Sequence, residues 1–457
     1  MTLKRVLVYC LPLLVILLGL ALRFYHLENV SGFDYDQETA AWWVKSLLVD
    51  HKISAIGQEI SVGGIHIGPW YYYLLSLFYW LFKLDPLAAS VMTTLFSVLT
   101  MILVYRVGRA LFNRQTALLS LLIYALSYRV IFYDHTTSPS NFSMLLSLLL
   151  LYSVIQVHKG KLIWVVVLAF ASGLAFSVHP TVVLLIPSAI FLILNTLRGK
   201  RLANKVLLML SVLVFLLVIS PLLIFEVRHG YPTLAGIVKL APETSNFNFS
   251  VSLIHLLTNL KTILENIEIL ILTTSFNGFL SFFIFAVLVR KLYHQKVLHY
   301  FLLWFLPLFL ILSFYPLHVP EYYFLPIFPL GIIYFSYWLY ASLRTKKIIL
   351  VGLLGGIFLL NLYRFMIYSN GLGLTYKKQA VQYIISESRG EKFRISYWTD
   401  LGLYSGFEYL FYLYRVQKTD DPTIVRRFVI VVPANKTGDL TKKQKSFSGI
   451  KVVEENL

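Results

Sequence analysis

The stretch Gly68-Pro69-Trp70 to Phe82, GPWYYYLLSLFYWLF, decides how the chain is threaded through a membrane. It is apolar and aromatic but only about fifteen residues long. At ~1.5 Å per residue, a helix of that length reaches roughly 22 Å, short of the ~30 Å hydrocarbon core of a bilayer. We therefore interpret it as a re-entrant or interfacial helix. This decision sets the side of the membrane on which every later loop lies.

The composition of the chain requires a membrane. Hydrophobic residues make up 58% of the 457 positions and charged residues only 14%. Apolar stretches of about seventeen residues or more recur along most of the chain, which is typical of an α-helical polytopic membrane protein. The one cysteine, Cys10, lies inside the first apolar stretch, so the chain has no disulfide framework.

With the Gly68–Phe82 segment counted as interfacial, the sequence predicts about eleven transmembrane helices. Their approximate ranges are 6–22, 86–105, 116–133, 141–157, 162–178, 181–197, 206–225, 263–289, 297–315, 322–342 and 348–367.

Alternate connections between these spans carry Lys and Arg residues without any Asp or Glu. They lie at Lys4–Arg5, Arg106–Arg114, Lys159–Lys161, Arg198–Lys205, Arg290–Lys296 and Arg344–Lys347. The positive-inside rule places them in the cytoplasm, with the N-terminus inside and the C-terminus outside a multi-pass plasma (cytoplasmic) membrane. The net charge of +18 is then mainly an orientation signal, and nucleic acid is not an expected partner.

The first outer loop, about Arg23 to Gly68, contains two carboxylates before a predicted surface helix. Asp36 begins the predicted helix Asp36–Val49, which has an apolar face, and Asp34 lies two residues before it. The free N–H groups and the dipole at a helix start favour an ionised carboxylate. The alternative is that Asp36 only caps the helix.

The other outer connections carry ionisable or hydrogen-bonding groups at about the same membrane depth. Such groups are costly there unless they are paired or functional, so we expect one pocket at the outer rim. The alternative is that these loop residues face water separately. The candidates outside the first loop are Asp134, Asn141, His179, Arg228, His318 and Glu321.

A rim pocket of this kind suits transfer of a sugar from a polyprenyl-phosphate donor to an acceptor hydroxyl. Asp36 can accept the hydroxyl proton, and Arg228 or His318 can hold the leaving phosphate. The aromatic run of Trp70, Tyr71, Tyr72 and Tyr73 supplies walls of a groove for the polyprenyl tail. No cofactor is predicted, and no residue pattern indicates a metal ion.

These residues resemble a known family. Arg23-Phe24, Gly32-Phe33-Asp34-Tyr35-Asp36-Gln37 and Gly63-Gly64-Ile65-His66-Ile67-Gly68-Pro69-Trp70-Tyr71-Tyr72-Tyr73-Leu74 are similar to motifs of the GT-C membrane glycosyltransferases. The closest resemblance is to family 39, with the protein O-mannosyltransferases and the aminoarabinose transferases of lipid A. It covers roughly residues 5–340.

Further motifs support the resemblance in the same chain order. They are Arg106 to Ala117, Ser138-Pro139-Ser140-Asn141, His179-Pro180, Phe225-Glu226-Val227-Arg228-His229-Gly230 and Glu321-Tyr322-Tyr323-Phe324-Leu325-Pro326.

The resemblance implies specific roles for residues of the first two outer loops. Asp36 is the catalytic or acceptor-positioning carboxylate, and Asp34 shares that role. The family often has Asp-Glu here, whereas Gln37 follows Asp36 in this chain. Asn141 stands where many relatives carry an acidic residue, and Asp134 is expected to substitute for it. His179, Glu321 and Asn141 are assigned with Arg228 and His318 to the donor phosphate and sugar.

The composition changes after Phe365, which divides the chain into a catalytic membrane domain, 1–367, and a small extracytoplasmic α/β domain, 368–457. In the second domain we predict helices over Tyr376–Ser388 and Leu403–Tyr414, strands over Phe393–Tyr397 and Phe428–Val432, and a mobile Lys-rich end over Lys436–Lys445. Acceptor binding, a lid and a passive cap all remain open as its role.

Two other classes of function fit the same architecture. One is a lipid or sugar transporter or flippase, which needs ionisable or broken-helix positions near the bilayer midplane. The other is a non-catalytic scaffold for assembly of a cell-surface polysaccharide. The sequence identifies neither the sugar, the polyprenyl length nor whether the acceptor is lipid, glycan or protein.

Overall fold

The structure is a computed structural model that describes residues 3–60, 63–197, 205–236, 238, 249–293, 295–315, 319–400, 402–416, 418–436 and 443–456. The helices before residue 368 are α1 Leu3–Phe24, α2 Leu27–Val30, α3 Tyr35–Leu48, α4 Trp70–Leu81, α5 Leu87–Leu111, α6 Arg114–Leu126, α7 Tyr128–His135, α8 Ser143–His158, α9 Trp164–Ala175, α10 Pro180–Val183, α11 Ile186–Leu197, α12 Lys205–Arg228, α13 Phe249–Leu272, α14 Phe279–Leu292, α15 Lys296–Ser313, α16 Phe328–Leu343 and α17 Lys347–Ile367. Short 3₁₀ turns, Pro139–Phe142 and Glu321–Phe324, precede α8 and α16.

Among the described residues, five helices are long and apolar enough to cross a membrane. They are Leu87–Leu111, Pro139–His158, Lys205–Arg228, Lys296–Ser313 and Lys347–Ile367. The pair α6 and α7, bent by 57°, makes a sixth if it is one broken span. Four other predicted spans coincide with shorter apolar helices, so the chain is a helical membrane protein and the number eleven stays a prediction.

Helix α4 occupies the stretch interpreted as non-spanning. It has 12 residues, Trp70–Leu81, and at ~1.5 Å per residue is about 18 Å long. Lys83 and Leu84 directly after it have positive φ values of 52° and 69°, which ends the helix. Its length therefore agrees with a re-entrant or interfacial helix.

The predicted span 263–289 is two helices, α13 and α14. Thr273 (φ 61°) and Gly278 (φ 75°) have left-handed backbone between them, which an α-helix cannot continue. The Glu268 carboxylate accepts hydrogen bonds from the N–H groups of Gly278 at 3.1 Å and Ser281 at 3.0 Å. A carboxylate that the sequence placed inside a span thus caps the start of α14.

Helices α13 and α14 contact different parts of the two helices that follow them. Asn259 in α13 donates a hydrogen bond to the carbonyl of Leu312, near the end of α15, at 3.1 Å. Lys291 at the end of α14 lies over the ring of Tyr337, in the second half of α16, at 5.8 Å. Because α15 and α16 are antiparallel neighbours, these two contacts lie near opposite ends of this helix pair.

The last ninety residues contain α18 Leu374–Ser388, β1 Arg394–Thr399, α19 Phe407–Leu413, β2 Arg426–Val432, β3 Gln444–Phe447 and β4 Ile450–Asn456. The sheet order is β1-β2-β4-β3, with β1 and β2 parallel and the other pairs antiparallel.

Both predicted helices and both predicted strands of the C-terminal region are present, with shifted ends. The strands β3 and β4 were not predicted. Of the Lys-rich end, Lys436–Lys445, residues 437–442 lie outside the described residues, while Gln444 and Lys445 belong to β3 and pair with β4. The domain division at residue 367 coincides with the end of α17 and stays a prediction.

Candidate active site

The first outer loop places Asp34 and Asp36 at the start of α3. Asp34 is the N-cap residue, and its backbone N–H donates to the side-chain oxygen of Gln37 at 3.0 Å. The side-chain amide of Gln37 donates in turn to the carbonyl of Thr137 at 2.7 Å. The residue that departs from the family pattern thus ties the first outer loop to the second. Asp36 lies within the first turn and is not the cap.

The Asp36 side chain is accessible to solvent, yet protein atoms crowd around its carboxylate. This desolvation, together with the charge of Asp34, raises the pKa of Asp36 above its ordinary value of 3.8. The helix start was expected to favour the ionised form, so the crowding outweighs the dipole here. A raised pKa makes the ionised carboxylate a stronger base.

Three predicted connections meet near Asp36. The charge of Asp36 acts on the phenols of Tyr71 in α4 and Tyr322 in the turn before α16. The ring of His179 lies 5.9 Å from that of Tyr322 and 4.8 Å from that of Tyr323, between ring centroids. Tyr322 thus lies beside His179 and within range of the Asp36 charge, and the shared pocket of Asp34, Asp36, His179 and the Glu321–Phe324 turn stays a prediction.

His179 is neutral near pH 7. Its Nδ1 atom lies 2.8 Å from the Thr181 hydroxyl and accepts from the Thr181 N–H at 3.4 Å. Burial lowers the pKa of His179 from 6.5 to about 4. An imidazole in this state can donate a hydrogen bond to a phosphate but adds no positive charge.

Glu321 pairs with a cation that the sequence interpretation missed. A guanidinium nitrogen of Arg129 lies 3.2 Å from the Glu321 carboxylate. The guanidinium also lies over the ring of Tyr133, 4.9 Å from its centroid. Arg129 is near the end of the apolar span predicted at 116–133, and a charge at such a position is the signal that could have identified it.

Asp134 is bound in a buried ion pair. Its carboxylate accepts from Nε of Arg23 at 2.7 Å, and Arg23, fully buried, also donates to the carbonyls of Gly19 and Ala125 at 2.9 and 3.0 Å. The pair joins α1 to α7. Because Asp134 is buried and its carboxylate is held by Arg23, an acceptor hydroxyl has poor access to it, which argues against the catalytic role predicted for Asp134.

Asn141 and Asp134 lie beside each other. Both line a cavity of about 10 Å³ between α5 and α8, room for about one water molecule. The Asn141 amide donates to the carbonyls of Tyr133 and Thr136 and so holds the second outer loop closed. Its predicted contact with the donor stays a prediction.

Arg228 ends α12 with an exposed side chain. One turn earlier, the ring of Phe225 lies 5.4 Å from that of His66, in the loop before α4. Arg228 is therefore on the side of the bundle that carries α4, without a described contact to Asp36. His318 lies outside the described residues.

The four aromatic residues of α4 that were predicted to line a lipid groove differ in their exposure. Tyr71 and Tyr72 are buried, at 5% and 0% exposure, because they face the bundle interior. Trp70 is exposed, and its indole N–H donates to the carbonyl of Val218 at 2.6 Å. Tyr73 is half-buried, with its hydroxyl donating to the carbonyl of Ser54. Burial thus argues against Tyr71 and Tyr72 as groove walls, and the role of Trp70 and Tyr73 in a lipid groove stays a prediction.

The C-terminal region contacts the first outer loop through Lys377 in α18. The Lys377 ammonium, 2% exposed, donates to Asp34 Oδ1 at 2.8 Å and to the carbonyls of Phe33 and Ser405 at 2.7 and 2.8 Å. We call this set of contacts the loop clamp. It fixes the residues immediately before Asp36.

A second contact of the loop clamp follows one turn later in α3. The buried Glu38 carboxylate accepts from the N–H groups of Gly406 at 2.7 Å and Tyr409 at 2.8 Å. Gly406 has φ 90°, and a Cβ there would lie 2.0 Å from the carbonyl oxygen of Phe33, so only glycine fits. Charged groups before and after Asp36 are therefore both held by the C-terminal region.

In the part of the chain that the structure describes, no group of three or more His, Cys, Asp or Glu side chains is arranged as metal ligands are.

Comparison with known proteins confirms the resemblance to the GT-C glycosyltransferases. Residues 66–225, about a third of the chain, match a family model described as dolichyl-phosphate-mannose-protein mannosyltransferase. No curated protein matches the chain in sequence.

Solved structures share the fold over nearly the whole chain. ArnT from Cupriavidus metallidurans bound to undecaprenyl phosphate has a TM-score of 0.56 and 14% identity, covering 97% of this chain and 98% of that chain. Its apo state gives 0.58 and 13%, covering 97% of each chain. AglB from Archaeoglobus fulgidus, in complex with an inhibitory peptide and a dolichol-phosphate, gives 0.55 and 10%, covering 94% of this chain and 70% of that chain. At these identities the likeness concerns the fold.

Proposed function

We propose that the chain is a membrane glycosyltransferase that moves a hexose or pentose from a polyprenyl-phosphate donor to an acceptor hydroxyl on the extracytoplasmic face. The observation that supports this most is Asp36, an accessible carboxylate with a raised pKa where three outer connections meet. The fold shared with ArnT bound to undecaprenyl phosphate supports a lipid-linked donor. Release of polyprenyl phosphate from such a donor by the purified protein is the direct test.

In the proposed reaction the acceptor oxygen attacks the anomeric carbon of the donor sugar. The bond between that carbon and the phosphate oxygen breaks, and polyprenyl phosphate leaves with the bonding electron pair. Asp36 takes the proton of the acceptor hydroxyl as the new glycosidic bond forms. Its accessible position suits this role better than that of the buried, Arg23-paired Asp134.

The leaving phosphate needs hydrogen-bond donors and positive charge as its own charge grows. We assign this role to Arg228, as the sequence motif implies, and also to Arg129, which contacts Glu321 and Tyr133. Neutral His179 contributes a hydrogen bond, and Asn141 and Glu321 shape the donor sugar site. His318 stays a candidate on its sequence motif alone.

We further propose that residues 1–367 form the catalytic membrane domain, with the N-terminus inside. Residues 368–457 then form an extracytoplasmic domain that holds the Asp36 loop through the loop clamp.

Replacing Arg228 by Ala is expected to raise the donor KM about tenfold or more. Charge-assisted hydrogen bonds are worth roughly 1.5–3 kcal/mol each, and about 1.4 kcal/mol corresponds to a factor of ten. Lys at position 228 should restore the donor KM only in part, because it lacks the bidentate fork of Arg. Steady-state kinetics with a polyprenyl-phosphate sugar measure this.

Lys205→Ala, at the opposite end of α12, is the matched control and should keep the donor KM of the wild type. A wild-type donor KM in Arg228→Ala would remove Arg228 from the phosphate site.

Cysteine labelling tests the proposed orientation. In a Cys10→Ser background, Lys392→Cys in the C-terminal domain should react with a membrane-impermeant maleimide on intact cells. Lys161→Cys, in a predicted cytoplasmic connection, should react only after permeabilisation. Both positions are exposed, so accessibility does not limit the reaction. Labelling of Lys161→Cys from outside intact cells would contradict the orientation.

A further inference from the structure

A cavity of about 450 Å³ lies along α3. Its walls include the aromatic side chains of Trp42, Trp43 and Tyr72 and the hydroxyl groups of Thr39 and Ser46. A volume of this size is in the range of small-molecule sites. It has room for a ligand the size of one or two sugar rings.

The cavity adjoins Asp36. Thr39, Trp43 and Ser46 follow Asp36 at three, seven and ten residues, so they form one stripe on the surface of α3. At ~1.5 Å per residue, Thr39 lies about 4.5 Å from Asp36 along the helix axis. Tyr72 lines the cavity and is close enough to Asp36 for the carboxylate charge to act on its phenol.

The lining combines flat aromatic walls with hydrogen-bonding groups. The rings of Trp43 and Tyr72 lie 5.0 Å apart and tilted by 36°, and the Trp43 N–H is already bound to the carbonyl of Ile56 at 2.9 Å. The partly exposed rings of Trp42 and Trp43 can pack on the C–H face of a sugar ring, while the hydroxyl groups of Thr39 and Ser46 bond to its hydroxyls. A lipid chain would leave the polar groups of the lining unpaired.

Gln58 lines the cavity and has a side-chain oxygen that can accept a hydrogen bond from a ligand. Its side-chain oxygen is buried and has no hydrogen-bond partner among the described residues. A buried unpaired acceptor costs about 1–3 kcal/mol, a cost that a ligand hydroxyl would remove. This is an independent observation that indicates a ligand rich in O–H donors.

We propose that this cavity binds the saccharide part of the acceptor, so that the acceptor of the transfer is a glycan. The inference rests on the proposed function. It places the acceptor sugar along α3 with one hydroxyl directed to Asp36, while the donor lies on the side of His179 and Glu321. In this arrangement the acceptor oxygen lies between the base, Asp36, and the anomeric carbon of the donor sugar.

The test uses Gln58→Leu in the purified full-length protein. Because the Gln58 oxygen is unpaired, Leu should leave the free energy of unfolding unchanged or raise it. With soluble di- and trisaccharides as acceptors, the acceptor KM should rise about tenfold, the factor that about 1.4 kcal/mol gives, while the donor KM stays unchanged. Gln382→Leu, an exposed position in α18, is the matched control and should change neither.

A second measurement does not depend on turnover. Titration of the wild type with the same oligosaccharides should change the tryptophan fluorescence saturably, and Gln58→Leu should weaken that change to the same extent as the acceptor KM. An unchanged acceptor KM in Gln58→Leu, or transfer to Ser/Thr peptides or lipids with no transfer to any oligosaccharide, would overturn the inference. In those cases donor consumption still occurs and the proposed function stands, whereas absence of donor consumption contradicts the proposed function itself.

Discussion

Replacing Asp36 by Asn is expected to lower the rate of sugar transfer at least about 100-fold, the effect typical of losing a general base. The amide keeps the shape of the side chain but cannot accept the acceptor proton. Asp36 is exposed and caps no helix, so the free energy of unfolding should change little. Transfer from a polyprenyl-phosphate sugar, followed together with thermal unfolding, separates loss of chemistry from loss of fold.

Asp34→Asn is the control for Asp36→Asn and predicts a specific pH effect. Asn can still cap α3 and accept from Lys377, so most of the activity should remain. A base works in its ionised form, so activity rises with pH through the pKa of Asp36. The Asp34 charge raises that pKa, and its removal should move the acid limb of kcat/KM to lower pH.

Other patterns of result would assign the roles differently. Near-normal transfer in Asp36→Asn, with loss in Asp34→Asn or Asp134→Asn, would make our choice of base wrong and keep the enzyme class. Activity in all three variants would contradict the glycosyltransferase mechanism. A scaffold or transporter would keep its function in Asp36→Asn, which distinguishes those alternatives.

Replacing Lys377 by Met is expected to be the most damaging change in the C-terminal domain. It removes the buried charge of the loop clamp and leaves two backbone carbonyls without their donor. Loss of one partner of a buried pair costs about 3–5 kcal/mol. Because the Asp34 side chain is more than half exposed and regains water, we expect about 3 kcal/mol.

The same change should lower kcat roughly tenfold to a hundredfold, because small displacements of a catalytic group have effects of that size. The donor KM should stay unchanged. Loss of the lysine charge beside Asp34 should move the acid limb of kcat/KM to higher pH, the direction opposite to Asp34→Asn. A purely structural role would not move the acid limb.

Lys436→Met is the control for the loop clamp. Lys436 pairs with Asp400 at 2.6 Å within the C-terminal domain, and exposed pairs of this kind are worth about 0–1 kcal/mol. It should change neither kcat nor the acid limb. Wild-type stability and kcat in Lys377→Met would show that the loop clamp does not position Asp36.

Hydropathy predicted the membrane part of the fold well because helix length and apolarity are local properties. The short α4 and most helix positions follow from them. The break between α13 and α14 did not, since it depends on left-handed backbone at Thr273 and on capping by Glu268. In an apolar stretch, a carboxylate that caps a helix and one near a span end look alike in sequence.

The candidate site residues that lie in sequence motifs could be proposed from the sequence. The Asp34–Asp36 loop, His179 and the Glu321 turn were proposed from the sequence, and Tyr322 of that turn lies beside His179 and within range of the charge of Asp36. Arg129 and the ion pair of Asp134 with Arg23 were missed because their partners are more than a hundred residues away. The loop clamp was missed for the same reason, as no motif marks the region of Lys377.

The central claim is tested most directly by donor turnover. The purified protein is incubated with a panel of polyprenyl-phosphate sugars and an acceptor glycan, and release of polyprenyl phosphate is measured beside the Asp36→Asn variant. We predict that the wild type consumes at least one donor and links its sugar to the acceptor, and that Asp36→Asn does so at least about 100-fold more slowly. Failure of the wild type to consume any donor, or equal consumption by Asp36→Asn, would contradict the account.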